Sequence, residues 1–350
     1  MIANKDCRFD FSTEVRPVCC RIVMIVTLIG LDGDIVGAQG RSDRPSLIPL
    51  PAAVPAPIDQ PVTPEKVELG SLLFFDPRLS GDNRMSCATC HVPEKSFSDG
   101  LRLGKGHADK SLRRNIQSLL NVGFYPLLFW DGRARSLEEQ ALAPIESADE
   151  MHQDLHALER ELNAVPGYRS RFQSVFSTDV TRRGIAQALA AFQRTLVSRR
   201  SPFDRYLLGE KAALSDEALQ GLELFQGAAG CVRCHHGPLL SDNKFHRIGI
   251  GLDDDGLGAV TGNREDKGKF RTPSLRNIAE TGPYMHNGSR ASLSEVVIHY
   301  YRGVPAAADD GLPLDIAPLS GQSFSEVSAL VAFLESLTGE AVAIERPELP

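Results

Sequence analysis

Two short stretches, CATCH at Cys87–His91 and CVRCH at Cys231–His235, decide how this sequence is interpreted. In a Cys-x-x-Cys-His motif each thiol can bond to one vinyl group of a haem, and the adjacent histidine binds the iron. Zinc sites with two Cys pairs usually place about 15–20 residues between the pairs, whereas these pairs lie far apart. Disulfides are the other alternative, since an exported protein could form them, but these cysteines sit in a more specific pattern. We therefore predict two covalent c-type haems, held by Cys87, Cys90 and His91 and by Cys231, Cys234 and His235.

The two motifs belong to a longer internal repeat. SLLNVGFYPLLFWDGRARSLEE (Ser118–Glu139) aligns without gaps to SLRNIAETGPYMHNGSRASLSE (Ser274–Glu295), and Trp130 aligns with His286. Upstream of each copy lie a helix ending in Leu-Phe and then a Cys-pair motif. Two copies of one unit imply two related domains. We predict cytochrome c-like domains over residues 64–205 and 206–340, each with one haem.

The composition and patterning favour a mainly α-helical globular protein. The chain has 350 residues, of which 42% are hydrophobic and 24% charged, and its formal net charge of −7 argues against a nucleic-acid partner. Strand-like alternation is rare. Helical patterning starts near Pro64 and recurs in these stretches: Ser136–Ala143, His152–Asn163, Val180–Ser198, Asp216–Phe225, Leu293–Tyr301 and Ser325–Leu337. The Ser-x-x-Glu sequences at Ser292 and Ser323 predict capping boxes.

The first 63 residues are interpreted as a leader and a linker. An apolar run at Ile22–Leu31 follows Arg21 and is too short to span a bilayer comfortably. Small residues end at Ala38, so we predict a signal peptide over residues 1–38 and a periplasmic location. A buried strand or a membrane anchor is the alternative. Residues 39–63 are rich in proline and predict an extended segment.

The motif set resembles that of the bacterial di-haem cytochrome c peroxidases, a family with a MauG-like branch. The resemblance covers residues 60–340 and is carried by both haem motifs and two further stretches. These are RNIQSLLNVGFYPLLFWDGRARSLEEQALAPIESADEM (Arg114–Met151) and FRTPSLRNIAETGPYMHNGSRASLSEVVIHYYRG (Phe270–Gly303). It implies a peroxidatic haem in the N-terminal domain and an electron-transfer haem in the C-terminal domain.

The resemblance also implies roles around the first haem. Trp130 matches the tryptophan between the haems, although a single tryptophan is otherwise expected to pack in a core. Glu150 matches the distal acid that moves a proton between the peroxide oxygens, and Gln140 and Pro144 match other distal positions. His107 matches a histidine that, in many family members, binds this haem until reduction displaces it.

Around the second haem the resemblance points to Tyr300 as the iron's sixth ligand, with Met285 as the alternative. Ordinary peroxidases of the family carry Met at the Tyr300 position, and the MauG-like branch carries Tyr. Arg271 is expected to pair with a haem propionate. A calcium ion between the haems would take the Asn115 side chain and the carbonyls of Thr281 and Pro283 as hard oxygen ligands.

Three functions are open at this point. The first is a peroxidase that reduces hydrogen peroxide with electrons from a small cytochrome c or a cupredoxin, which His107 favours. The second is a MauG-like oxidase of a protein substrate, which Tyr300 favours. Against it, Ala229 stands where MauG has a surface tryptophan. The third is an electron-transfer cytochrome without turnover, against which Glu150 argues. A homodimer is typical of the family.

Overall fold

The computed structural model describes residues 45–303, 311–317 and 323–350. The predicted signal peptide over residues 1–38 lies outside this part. No helix among the described residues combines the length and the apolar composition needed to cross a bilayer. Residues 45–63 contain neither a helix nor a paired strand beyond a single bridge between Leu47 and Gly237.

The described residues are mainly α-helical, as predicted. The helices are α1 (Pro64–Phe75), α2 (Cys87–Cys90), α3 (Leu137–Glu146), α4 (Leu155–Ala164), α5 (Pro166–Phe176), α6 (Arg182–Gln193), α7 (Pro202–Leu207), α8 (Asp216–Gln226), α9 (Gly258–Thr261), α10 (Leu293–Arg302) and α11 (Phe324–Glu335). Two short strands, β1 (Phe245–His246) and β2 (Phe270–Arg271), pair antiparallel. Loops and single 3-10 turns connect these elements.

The helix starts follow from their capping residues. At α11 the Ser323 side chain and the Glu326 carboxylate form the complete capping box that the sequence predicts. The box predicted at α10 is only half formed: Ser292 Oγ accepts the N–H of Glu295, but the Glu295 carboxylate accepts the N–H of Ala291. The Glu295 carboxylate therefore bonds to the N–H of Ala291, one residue before the cap, and not to that of Ser292.

Each half of the chain has a core built on one close helix crossing. In the first half α1 packs on α6, and in the second half α8 packs on α11. Gly70 and Gly221 lie at these crossings, where an added Cβ would collide with the main-chain carbonyl of Ala188 or Ala329. Glycine is therefore needed at both positions because the two backbones touch there.

The loops around the sequence repeat make equivalent contacts. Asn121 and Asn277, which align in the repeat, both adopt a left-handed conformation. The N–H of Asn121 donates to Leu196 O at 2.7 Å, and that of Asn277 donates to Leu337 O at 3.1 Å. Each bond ties the loop to the residue just beyond the second helix of its own core.

The two halves are joined by a reciprocal pair of main-chain hydrogen bonds. The N–H of Arg271 donates to Trp130 O at 2.9 Å, and the N–H of Asn115 donates to His286 O at 2.7 Å. Trp130 aligns with His286 in the repeat. The two copies therefore contact each other through the same main-chain positions.

Each half is also contacted by a segment that the sequence joins to the other half. Residue Ser46, near the start of the described part, accepts the N–H of Gly237 at 2.8 Å, and Leu47 packs against the second core. In the opposite direction, Pro350 O accepts Arg78 Nη2 at 3.0 Å, and Leu349 packs against the first core. We call residues 46–48 and 340–350 the crossing segments.

The division into two domains remains a prediction, and its boundary falls within a helix. Helix α7 runs across residues 205 and 206. Phe203 on this helix packs in the core of the second half.

Two candidate haem cavities

Each Cys-x-x-Cys-His motif presents its side chains from one tight turn. The first forms α2 and the second a 3-10 turn over Cys231–Arg233. Nδ1 of His91 bonds to Phe97 O at 3.1 Å, and Nδ1 of His235 bonds to Leu240 O at 3.0 Å. A carbonyl at Nδ1 fixes the ring and leaves Nε2 for a metal. Burial lowers the pKa of both imidazoles to about 4, so both are neutral, as iron ligands must be.

The first cavity lies beside the first motif and has a volume of about 410 Å³. The residues that line it include every side chain predicted on the distal side of the first haem except His107: Trp130, Gln140, Pro144 and Glu150, together with Cys87, Cys90, His91 and Arg271. Helix α3 and the turn that follows it supply Gln140, Pro144 and Glu150.

Glu150 is an acidic residue of this cavity whose pKa is raised by its surroundings. Burial raises its pKa above the ordinary value, and the nearby Asp149 carboxylate acts in the same direction, whereas the Arg133 guanidinium opposes both. A carboxyl group with a raised pKa is a stronger base than an ordinary glutamate, and it can accept a proton and later return it. Its surroundings therefore suit proton transfer.

The second cavity, of about 160 Å³, lies beside the second motif. Its lining brings together the residues predicted to hold the second haem and calcium, except Cys234, which lies beside Asp242 and His246: Cys231, His235, Tyr300, Met285, Asn115, Thr281 and Pro283. Burial raises the pKa of Tyr300 far above that of a free phenol. Both Tyr300 and Met285 reach the cavity, so the choice between them stays open.

Trp130 lies in the wall between the two cavities and lines both of them. Its Nε1–H donates to Asn115 O at 2.9 Å. The Nδ2 of Asn115 donates in turn to Leu101 O at 2.9 Å, and among the described residues its amide oxygen accepts no hydrogen bond. The structure thus places Trp130 and Asn115 together at the wall.

Tyr125 is a second aromatic side chain in this wall, and the sequence analysis did not single it out. It lines both cavities, and its hydroxyl accepts the N–H of Ser274 at 2.8 Å. The Arg271 guanidinium lies 4.1 Å above its ring. Arg271 is buried, and within the described residues it forms no ion pair with a carboxylate. A buried cation in this state fits the predicted haem propionate.

A charged network beside Trp130 was also missed. Arg114 forms a bidentate ion pair with Asp254, with both bonds at 2.8 Å, and a further bond to Asp131 at 2.6 Å. Burial alone would raise the pKa of Asp254, but the bonds from Arg114 lower it to about 2. Asp254 follows β1 in the second half, so this pair fastens the halves to each other near the wall. No local sequence pattern could predict the Arg114–Asp254 pair, because 140 residues separate its members.

His107 does not line the first cavity. Its ring stacks on that of His152, with centroids 4.8 Å apart, and its Nδ1 lies 3.6 Å from Asp82 Oδ2. The loop itself is close to the cavity, because the N–H of His107 donates to Glu150 O at 2.7 Å. The ligand role of His107 stays a prediction, with its ring outside the cavity in this conformation.

The side chains present fit two covalent haems. The four motif cysteines form no disulfides within the described residues, both histidines are oriented by carbonyls, and Arg271 is a buried cation facing the first cavity. Among the described residues, the one other grouping with metal-ligand geometry is Cys234, Asp242 and His246. It contains a motif cysteine that haem attachment would consume.

Comparisons with known proteins agree on one family. Residues 64–212 match the family model described as di-haem cytochrome c peroxidase. The methylamine utilization protein MauG of Methylorubrum extorquens is 42% identical over 91% of this chain and 89% of its own length. The cytochrome-c peroxidase IdrP1 of Denitromonas iodatirespirans is 40% identical over 89% of this chain and 92% of its own.

A solved structure gives the same result for the fold. The crystal structure of a MauG-like protein associated with microbial copper homeostasis superposes with a TM-score of 0.75 at 35% sequence identity. The match covers 85% of this chain and 95% of that chain. A MauG protein and a cytochrome-c peroxidase are thus about equally similar to this sequence.

Proposed function

Because the chain belongs to the di-haem cytochrome c peroxidase family of oxidoreductases, we propose that it reduces hydrogen peroxide to water, with electrons from a small cytochrome c or a cupredoxin. The observation that carries this proposal is the position of Glu150. A carboxyl group with a raised pKa faces the same cavity as the first haem motif.

Each half holds one covalent c-type haem in this proposal, in cytochrome c-like domains over residues 64–205 and 206–340 that arose from one repeated unit. The first haem is the peroxidatic one, and the second accepts electrons from the donor. The protein acts in the periplasm after loss of its signal peptide. Calcium binds to Asn115, Thr281 and Pro283, which line one cavity, and a homodimer is the expected assembly.

A haem held by Cys87, Cys90 and His91 would supply iron chemistry toward peroxide, and the second haem, held by Cys231, Cys234 and His235, would pass on electrons from the donor protein. The overall change, H2O2 + 2 H+ + 2 e− → 2 H2O, needs a proton moved from one oxygen of the peroxide to the other. Glu150 is placed to accept that proton and to return it to the departing oxygen. Gln140 lines the same cavity and can orient the peroxide through its amide. Trp130, in the wall between the cavities, lies on the electron path.

A MauG-like oxidase of a protein substrate is the second candidate, and Tyr300 favours it. A buried phenol in the second cavity could ligate the iron as its phenolate and stabilise high oxidation states. The position of Ala229 disfavours this candidate. Ala229 is buried and non-aromatic, so it offers no surface indole for drawing electrons from a protein.

Steady-state oxidation of a reduced small cytochrome c by the haem-loaded protein and peroxide tests the proposal. We expect turnover, and we expect Glu150→Gln to lower kcat/KM by about 10²–10⁴-fold, as for a lost general acid–base group. Glu146→Gln, an exposed change on α3, is the matched control and should turn over normally. Loaded protein that shows no turnover, oxidised or half-reduced, would exclude the peroxidase and leave the oxidase.

A further inference from the structure

The ring of His107 occupies a defined site outside the first cavity. It stacks on His152 with centroids 4.8 Å apart and ring planes inclined by 30°. Its Nδ1 is buried and makes no hydrogen bond within the described part of the chain. Asp82 Oδ2 lies 3.6 Å from Nδ1, which is longer than a hydrogen bond. The ring therefore has two defined neighbours, His152 and Asp82, but its Nδ1 is not held by a hydrogen bond.

His152, the stacking partner, is fixed by its own backbone. Its φ is +51°, a left-handed value that is uncommon for residues other than glycine. The conformation persists because the N–H of His152 donates to Ser147 O at 2.9 Å. The carbonyl of His152 also packs so closely on Gly81 that no Cβ would fit there. Its Nδ1 bonds to Ala148 O at 3.3 Å. Strained residues held in this way cluster at functional sites.

The loop that carries His107 is strained in a different sense. Ala108 and Asp109, which follow directly, have φ values of +54° and +60°. Two consecutive non-glycine residues in the left-handed conformation raise the conformational free energy of the loop. A different loop conformation would relieve this strain. His152 is thus held in place by its backbone, whereas relief of loop strain would favour movement of His107.

We propose that His152 and Asp82 form a resting site for the His107 ring, which competes with the iron of the first haem for that ring. His152 is a positioning residue, because it acts on the iron only through His107. This inference rests on the proposed function in one respect, since it takes His107 as a ligand that can leave the iron. It explains why an imidazole is placed at a strained position beside that loop.

The test is the spin state of the first haem in the haem-loaded protein. Ligation by His107 makes the iron low-spin, and release of His107 leaves it high-spin. His152→Asn removes the ring and keeps a residue that tolerates the left-handed conformation. We expect the high-spin fraction, measured by absorption and electron paramagnetic resonance, to fall severalfold in the oxidised or the half-reduced protein. Asp82→Asn should act in the same direction with a smaller effect.

Two further variants decide the interpretation. His156→Asn, at an exposed histidine on α4, should leave the spin state unchanged. The double variant His107→Ala/His152→Asn should return the high-spin fraction to the level of His107→Ala alone. A low-spin double variant, or a His152→Asn protein unchanged in both redox states, would overturn the resting site. Failure of the proposed function looks different, because the spin ratio can be measured in protein that does not turn over peroxide.

Discussion

The two halves of the molecule hold their haem motifs by the same contacts and differ in what faces each cavity. In both, Nδ1 of the motif histidine bonds to a carbonyl five or six residues on, and a glycine allows the two core helices to touch. The first cavity, of about 410 Å³, contains Glu150 and Gln140. The second, of about 160 Å³, contains Tyr300 and Met285.

This difference separates the scaffold from the chemistry. The helix crossings and the motif turns serve to hold a haem, and they are the same in both halves. The side chains opposite the motif histidine decide what the iron can do. Space and an acid suit a small reacting molecule, while a narrower cavity with a phenol or a thioether suits an iron whose last position is filled. Specialisation therefore needs few substitutions.

The largest expected effect comes from disrupting the close helix crossing that both halves contain. Gly70→Ala or Gly221→Ala pushes a Cβ into a main-chain carbonyl that cannot move aside. We expect each to lower the free energy of unfolding by about 3 kcal/mol, the upper end of overpacking costs, despite the better helix propensity of alanine. Urea unfolding measures this. Ser71→Ala and Gln220→Ala, in the same helices, are the controls, and an equal response in controls and variants would contradict the shared crossing.

The next effect tests the fastening between the halves. Asp254→Asn removes one carboxylate from Arg114, which still pairs with Asp131. We expect a loss of about 2 kcal/mol in the free energy of unfolding, in the range for hydrogen bonds to charged groups. Asp253→Asn, exposed and adjacent, should be neutral. If both substitutions had the same effect, the ion pair would not fasten the halves.

Trp130 and His286 align in the repeat but are expected to differ in electron transfer. Trp130 lines both cavities, whereas His286 lines neither and stacks on Phe270 at 3.6 Å between centroids. We expect Trp130→Phe to slow electron exchange between the haems severalfold, and His286→Phe to have little effect. Stopped-flow absorbance after substoichiometric reduction measures the rate. Equal slowing in both variants would remove the distinction.

The smallest effect concerns the pH dependence of peroxide turnover. Glu150 must be deprotonated to accept a proton, so activity should fall as pH drops through its pKa. Burial raises that pKa, which places the acid limb above that of an ordinary glutamate, while Arg133 lowers it. Arg133→Gln should therefore move the acid limb to higher pH, and solvent screening should keep this shift small because Arg133 is partly exposed. Arg135→Gln should leave it in place, and a shift to lower pH would contradict the assignment.

Local patterns in the sequence predicted most of the helices. Seven of the helices were expected from periodicity and caps, yet α4 begins at Leu155 rather than His152 because the Asp154 side chain caps it. Helix α5 was missed. It follows α4 after one residue, and only Tyr168 and Phe172 are buried on it, which is too few to make a clear apolar stripe.

The site could be predicted where a motif carried it and not where tertiary contacts did. The haem motifs, Trp130 and Glu150 are recognisable from short stretches of sequence, and the structure brings them to the cavities. Tyr125 and the Arg114–Asp254 pair depend on residues more than a hundred positions apart, which no local pattern encodes. The orientation of the His107 ring likewise depends on His152, which is distant in sequence.

The crossing segments bear on how separable the halves are. Residues 46–48 complete a surface of the second half, and residues 340–350 complete one of the first. If the chain were cut near residue 201, each fragment would lack the crossing segment that packs on it. Each would instead carry the crossing segment that packs on the other fragment. The two halves therefore cannot be exchanged independently between relatives. A chimaera would have to exchange each half together with the crossing segment that packs on it.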